Sequence, residues 1–140
     1  DCHAGISDRP LNKMSLVGIG IDVVEVSRIR SSMDEFGVRF LARIFTERER
    51  DYCDRQKMPE MHYAARFAAK EAISKAFGTG IGKDVGWLDM EILRKSSGEP
   101  EVQLRGAAAL KAKEVNAAQV MVSLTHSKDY AAANAVIMAV

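Results

Sequence analysis

Arg66-Phe67-Ala68-Ala69-Lys70-Glu71-Ala72-Ile73-Ser74-Lys75-Ala76-Phe77, followed at once by Gly78-Thr79-Gly80-Ile81-Gly82-Lys83, governs how the rest of this 140-residue chain is read. The first run has the pattern of an amphipathic helix, and the second ends it. Residues four apart share a helix face, so Phe67, Glu71 and Lys75 form one column and Arg66, Lys70 and Ser74 the next. Such a helix presents a carboxylate able to hold a hard cation, among donors suited to phosphate. An ordinary Glu71–Lys75 surface pair, worth roughly 0.2–0.5 kcal/mol, would account for the acid and one lysine without any function.

Nearer the start, Leu16-Val17-Gly18-Ile19-Gly20-Ile21-Asp22-Val23-Val24 is apolar and β-branched, as in a buried strand. Asp22 interrupts it. An ionised carboxylate at the end of a buried strand is costly unless a cation, donors or solvent compensate it. Asp22 also suits the cap of a helix starting near Glu25. With Glu71 available as a second carboxylate, a cation site shared by the two is the better reading.

Working outward, Glu25 to about Phe36 is expected to be helical, with Val26, Ile29 and Met33 on one stripe and Gly37 as its stop. Thr46-Glu47-Arg48-Glu49 has the capping-box pattern of a short helix reaching about Arg55. The signature helix is expected to run from about Pro59 to Phe77. Leu88 to Leu93 alternates like a strand, and Ser96 to Pro100 turns into Val102-Gln103-Leu104. Ala107 to about Val115 suits a helix. Gln119 to His126 and Tyr130 to Ala139 suit two strands joined by a tight turn. Helices early and antiparallel strands late predict an α+β fold, helices packed on an antiparallel sheet in one compact domain, and not a doubly wound sheet.

Bulk properties bound the function without naming it. A net charge of +1 gives no general attraction to nucleic acid. No apolar stretch is long enough to span a bilayer. Cys2 and Cys53 are too few and too isolated for a disulfide framework or a zinc site, which suits the reducing cytoplasm. Residues 1–13 lack the pattern of a secretory signal and are expected to be a flexible extension or a remnant of expression, with the domain covering 14–140.

The segments resemble a known family in combination. Gly20-Ile21-Asp22, with Phe67-Ala68-Ala69-Lys70-Glu71-Ala72-Ile73-Ser74-Lys75 further on, is similar to the paired signature of 4′-phosphopantetheinyl transferases. The likeness is strongest to the short holo-acyl-carrier-protein synthases of bacterial fatty acid synthesis and runs from about Met14 to the C-terminus. It includes Arg43-Ile44-Phe45-Thr46 with Glu49, Phe77 to Gly82, and Ser123-Leu124-Thr125-His126-Ser127 with Tyr130-Ala131.

The resemblance implies transfer of the phosphopantetheine arm of coenzyme A to a serine of an apo acyl carrier protein, with release of adenosine 3′,5′-bisphosphate. It implies a magnesium ion, with manganese as a substitute, held by Asp22 and Glu71. Magnesium takes oxygen ligands and usually only one or two protein carboxylates, which the pair satisfies. Lys75 is the candidate for stabilising charge on the diphosphate or leaving group. Lys70 and Arg66 are candidate phosphate partners. Either Glu71, directly or through a water, or His126 takes the serine proton, since an imidazole titrates near neutrality.

The glycine run follows a helix and has no Gly-Lys-Ser/Thr, so it is not a P-loop. Gly78 is expected to cap the helix. By resemblance, Gly78, Thr79, Gly80 and Gly82 lie against the nucleotide end of coenzyme A. Arg28 is implied as a docking point for the acidic carrier protein, with Arg30, Arg39 and Arg43 extending a basic surface; a solvated helix face explains the same charges. Family members of this length are homotrimers with sites at subunit junctions. A binding module without catalysis, or the same chemistry serving polyketide or peptide synthesis, remains open beside the fatty acid reading.

Overall fold

The Leu16–Val24 run, expected as a buried strand, forms strand β1 (Ser15–Glu25) with only one face covered: Gly18, Gly20, Asp22 and Val24 turn inward, while Ile19, Ile21 and Val23 are exposed on the other side. A computed structural model describes residues 14–140; the expected extension over residues 1–13, with Cys2, lies outside the described residues. After β1 come helices α1 (Val26–Phe36), α2 (Val38–Ile44), α3 (Glu47–Asp54) and α4 (Pro59–Ala76). A short ribbon of β2 (Met90–Arg94) and β3 (Pro100–Leu104) leads to helix α5 (Gly106–Glu114) and the strands β4 (Ala117–His126) and β5 (Tyr130–Ala139). The expected α+β class holds. All strand pairs are antiparallel: β1-β5-β4 form one sheet and β2-β3 the other.

Helix α4 lies across the inner face of the larger sheet, and small residues set the spacing. The helix buries Ala64, Ala65, Ala68, Ala69, Ala72 and Ala76, and the central strand β5 buries Ala131, Ala133 and Ala135. On β1 the approach is closer still. A Cβ built on Gly20 would sit 1.9 Å from the Ala72 carbonyl oxygen, and one on Gly18 1.9 Å from that of Ala76. No side chain fits there. The next inward residue of β1 is Asp22, so this contact delivers its carboxylate to the flank of α4 one turn from Glu71 and Lys75.

Two apolar clusters share α4. Ile73, Phe77, Val85, Met90, Ile92 and Ile137 fill one, between sheet, ribbon and α5. Val26, Ile29, Leu41, Ile44, Phe45 and Tyr63 fill the other, under α1–α3. Val26 and Ile29 are buried as the stripe predicts, with Met33 packed at the margin. Cys53 is a buried free thiol, pushed up to about 12 by burial.

Sequence and structure differ at three boundaries. Gly37 stops α1 as expected, at φ 59°, but the helix α2 that begins directly after it was not expected. Leu88 and Asp89 are not strand: with Trp87 they form a 3-10 turn, closed by the Asp89 carboxylate accepting the Gly86 N–H at 2.9 Å. Strand β4 starts two residues before the expected Gln119.

Gly20→Ala is expected to lower unfolding stability by at least about 2 kcal/mol, because the new methyl meets backbone rather than a movable side chain. Gly82→Ala, where a Cβ meets nothing within 4 Å, should stay within about 0.5 kcal/mol. Urea midpoints at constant m-value give both numbers; equal losses at the two positions would remove the close-contact explanation.

Candidate active site

Asp22, Glu71 and Lys75 come together where β1 crosses α4. Lys75 Nζ donates to Asp22 Oδ1 at 3.1 Å and to the Ile21 carbonyl at 3.0 Å. Lys75 therefore pairs with Asp22 rather than with Glu71, the partner that its helical spacing suggested. Half of its side chain remains exposed while that of Asp22 is 17% exposed, so the ammonium lies at the mouth of the cluster. Glu71 is partly buried. Burial, and then the negative charge of Asp22, raises its carboxyl above the usual range, with Lys75 opposing.

The repulsion that Asp22 exerts on the Glu71 carboxylate is what a cation relieves. Among the described residues no cluster of three or more His, Cys, Asp or Glu side chains forms. The donor set is thus two oxygen ligands and no more. That composition does not suit zinc, and it suits a hard cation that takes its remaining ligands from phosphate and water.

The second column of the signature helix has another fate. Lys70 is 0% exposed. Its ammonium donates to Glu49 Oε1 at 2.7 Å, to the Ile44 carbonyl at 2.6 Å and to the Trp87 carbonyl at 3.1 Å, which uses all three donors. Glu49 is equally buried, accepting the N–H groups of Thr46 and Ile92, each at 2.8 Å. Burial pulls Lys70 below its ordinary range and Glu49 opposes that pull. The expectation that Lys70 meets a phosphate fails for this reason: it has no donor left and no route to solvent. The capping box read at Thr46 and Glu49 is present, but its glutamate also anchors the core.

Arg66 and His126 share a cavity of about 290 Å³ that also takes in Tyr52, His62, Arg94 and Thr125. The Arg66 guanidinium lies 4.4 Å from the Tyr52 ring centroid, and Nε donates to the Ile92 carbonyl at 3.3 Å. Arg94 donates to the Tyr52 hydroxyl at 2.7 Å. Two guanidinium groups and two imidazoles make this an anion pocket. Tyr52, His62 and Arg94 were not singled out from the sequence. His62 had a signal, because it stands four residues before Arg66 on the same helix face; Tyr52 and Arg94 arrive from other elements and had none.

His126 does not join the carboxylates within one chain. On the sheet Asp22 is opposite Ala133 and His126 is opposite Ala131, with β5 between their strands. Two strand spacings and two residue rises separate their Cα positions by about 12 Å.

The glycine run ends α4 as expected. Gly78 and Gly80 adopt φ 79° and 67°. The N–H of Gly78 returns to the Lys75 carbonyl, and those of Thr79 and Gly80 to the Ser74 carbonyl. Gly82 N–H bonds the Val85 carbonyl. These amides are therefore not available as an anion cradle, and what the loop can offer a ligand is close backbone approach. Arg28 is exposed on α1, and Arg39 and Arg43 are exposed on α2, while Arg30 of α1 reaches Glu60 at 4.0 Å.

The sequence and the fold have counterparts among known proteins. The family model of the 4′-phosphopantetheinyl transferase superfamily matches residues 18–135. The chain belongs to that superfamily. A holo-[acyl-carrier-protein] synthase of Chlamydia caviae is 48% identical over 125 residues, covering 89% of this chain and 99% of that one. Among solved structures, the holo-[acyl-carrier-protein] synthase of Neisseria meningitidis superposes with a TM-score of 0.82 at 33% identity, covering 88% of this chain and 98% of that chain. The Bacillus anthracis holo-(acyl-carrier-protein) synthase in complex with CoA (3′,5′-ADP) gives a TM-score of 0.76 at 38% identity, covering 89% and 98%. Among the described residues no helix is long and apolar enough to cross a membrane.

Lys70→Met should cost about 3–5 kcal/mol, since it strands the buried Glu49 charge. Adding Glu49→Gln removes that charge, so the double variant should unfold at higher denaturant than the single one despite carrying two changes. A double variant less stable than Lys70→Met would mean that packing, and not charge, dominates the site.

Proposed function

We propose that this chain is a holo-[acyl-carrier-protein] synthase, transferring the 4′-phosphopantetheine group of coenzyme A to a serine hydroxyl of an apo acyl carrier protein in the cytoplasm, for fatty acid synthesis. The observation that carries this reading is the Asp22–Glu71–Lys75 cluster, set beside a helix whose loop ends in close-approach glycines. Asp22 and Glu71 would hold magnesium, with manganese as a substitute. When bound, the cation supplies charge neutralisation on the diphosphate and eases departure of the leaving phosphate.

Lys75, already at the mouth of the cluster, turns its exposed ammonium toward the diphosphate. Glu71 takes the serine proton, directly or through a water. Gly78, Thr79, Gly80 and Gly82 line the approach of the nucleotide, and Arg66 with His126 binds phosphate at the far end. Arg28, exposed and without a carboxylate partner among the described residues, offers a docking charge to the acidic carrier.

The two halves of this site belong to different copies in a homotrimer. Carboxylates and lysine lie at the β1 edge of the sheet, and the arginine–histidine pocket at the β4 edge. Ile19, Ile21 and Val23, exposed at 67%, 67% and 61%, make an outer β1 face too apolar to be left in water, and this favours covering it with a second copy.

Two experiments test these readings. An apo acyl carrier protein incubated with the chain, coenzyme A and magnesium should gain the mass of one phosphopantetheine group, with the gain lost on adding EDTA or in Glu71→Gln. No gain while coenzyme A still binds would make the chain a binding module. For the shared site, Glu71→Gln and Arg66→Gln copies, each inactive alone, should regain activity when unfolded and refolded together. Random assembly restores about a quarter of the junctions, one half from each side; a mixture as inactive as its parts would confine the site to single copies.

A further inference from the structure

His126 Nδ1 is buried and, among the described residues, is the one buried side-chain nitrogen or oxygen without a hydrogen-bond partner. The His62 ring packs against the His126 ring, 4.7 Å apart between centroids and inclined at 60°. Beyond His62 lies the Tyr52 ring, 6.0 Å off and edge-on. Arg66 and Glu60 on α4 and Arg94 on β2 complete the charged groups acting on this imidazole. Glu60 is also within ion-pair reach of Arg30. The pocket thus collects two imidazoles and two guanidiniums against one partly engaged carboxylate.

Burial first, and then the positive charge of His126, Arg66 and Arg94, holds His62 below the ordinary imidazole range. In the free protein His62 is accordingly neutral at neutral pH, because another proton among these cations is unfavourable. A phosphate group in the cavity reverses the sign of the local field and accepts hydrogen bonds from every N–H it meets. A protonated imidazole has two such donors and a neutral one has one.

We propose that His62, paired with His126 on the cavity wall, accepts a proton from solvent when a phosphate group is captured in this cavity and so becomes a binding residue. The inference deepens the proposed function and rests on its placing of the nucleotide end of coenzyme A at Arg66 and His126. The balance is simple: one proton leaves the buffer, one N–H bond forms on an imidazole, and nothing is oxidised or reduced. Because the anion raises the affinity of His62 for that proton, uptake is largest between its free and bound titration points. Binding therefore weakens as pH rises through that interval, by up to about tenfold per pH unit for a full proton.

The test is calorimetric titration of adenosine 3′,5′-bisphosphate into the full chain at neutral pH, in magnesium-containing buffers of different ionisation enthalpy. The dependence of the heat on buffer counts the protons exchanged. The ligand's own phosphates titrate near pH 6, so the readout is the difference between the unaltered protein and His62→Phe. His62→Gln, which keeps an N–H donor but cannot titrate, guards against loss of folding in the first variant.

The unaltered protein should take up roughly half a proton or more per site beyond either variant. Its affinity should also fall more steeply than theirs between about pH 6 and pH 8. Equal proton counts in all three proteins, with binding intact, would overturn the uptake by His62 while leaving the nucleotide placement standing. Failure of the unaltered protein to bind the bisphosphate at all would overturn the placement and the proposal together.

Discussion

Everything at the candidate active site depends on how closely α4 can lie on β1. Backbone contact at Gly18 and Gly20 removes the usual layer of side chains between helix and strand. That geometry turns the i, i+2 alternation of β1 into a placement rule. The two positions that cannot carry a side chain are followed by one that carries a carboxylate, which emerges where the helix offers Glu71 and Lys75. With ordinary residues at positions 18 and 20 the helix would stand off and Asp22 would be an isolated acid at a strand end. The glycines thus belong to the chemistry as much as to the packing.

Close approach fixes distance but not rotation, and the buried Lys70–Glu49 pair supplies the rotation. Lys70 immediately precedes Glu71, so any turn of α4 that moves Glu71 toward Asp22 or away from it must also move Lys70. Lys70 cannot move freely. Its three bonds reach the end of α2, the start of α3 and the turn before β2, and Glu49 ties in β2 itself. A buried ion pair of this kind is poor evidence for stability, because desolvation offsets much of the attraction. It is better understood as a device of register, rejecting helix rotations that leave either charge unpaired.

These two constraints also explain what could be read in advance. The Asp22–Glu71–Lys75 set was legible because two local periodicities, two on the strand and 3.6 on the helix, place all three residues without knowledge of the rest of the fold. The α+β class followed from element order. Lys70 was misread as a phosphate ligand because its helical column says only which residues it neighbours, and not that Glu49 would be carried underneath it by two intervening turns. Gly37 was read as an ending because a glycine with positive φ both ends and begins helices. The anion pocket was half legible: Arg66 and His126 carried the family pattern, whereas Tyr52 and Arg94 enter from elements whose packing has no local signature.

The position of that pocket bears on the proposed sharing of the site between copies. Within the chain, α4 separates its charges by face: Glu71 and Lys75 look toward β1, and His62 and Arg66 look toward β4 and the ribbon. A ligand with a diphosphate at one end and a phosphate on a ribose at the other has to meet both kinds of site. The close packing that organises the carboxylates leaves no room for a ligand between α4 and β1 at Gly18 and Gly20. The outer face of β1 is the remaining route, and it is apolar. In the proposed homotrimer, tight packing on one side of β1 and association on the other would then serve the same ligand.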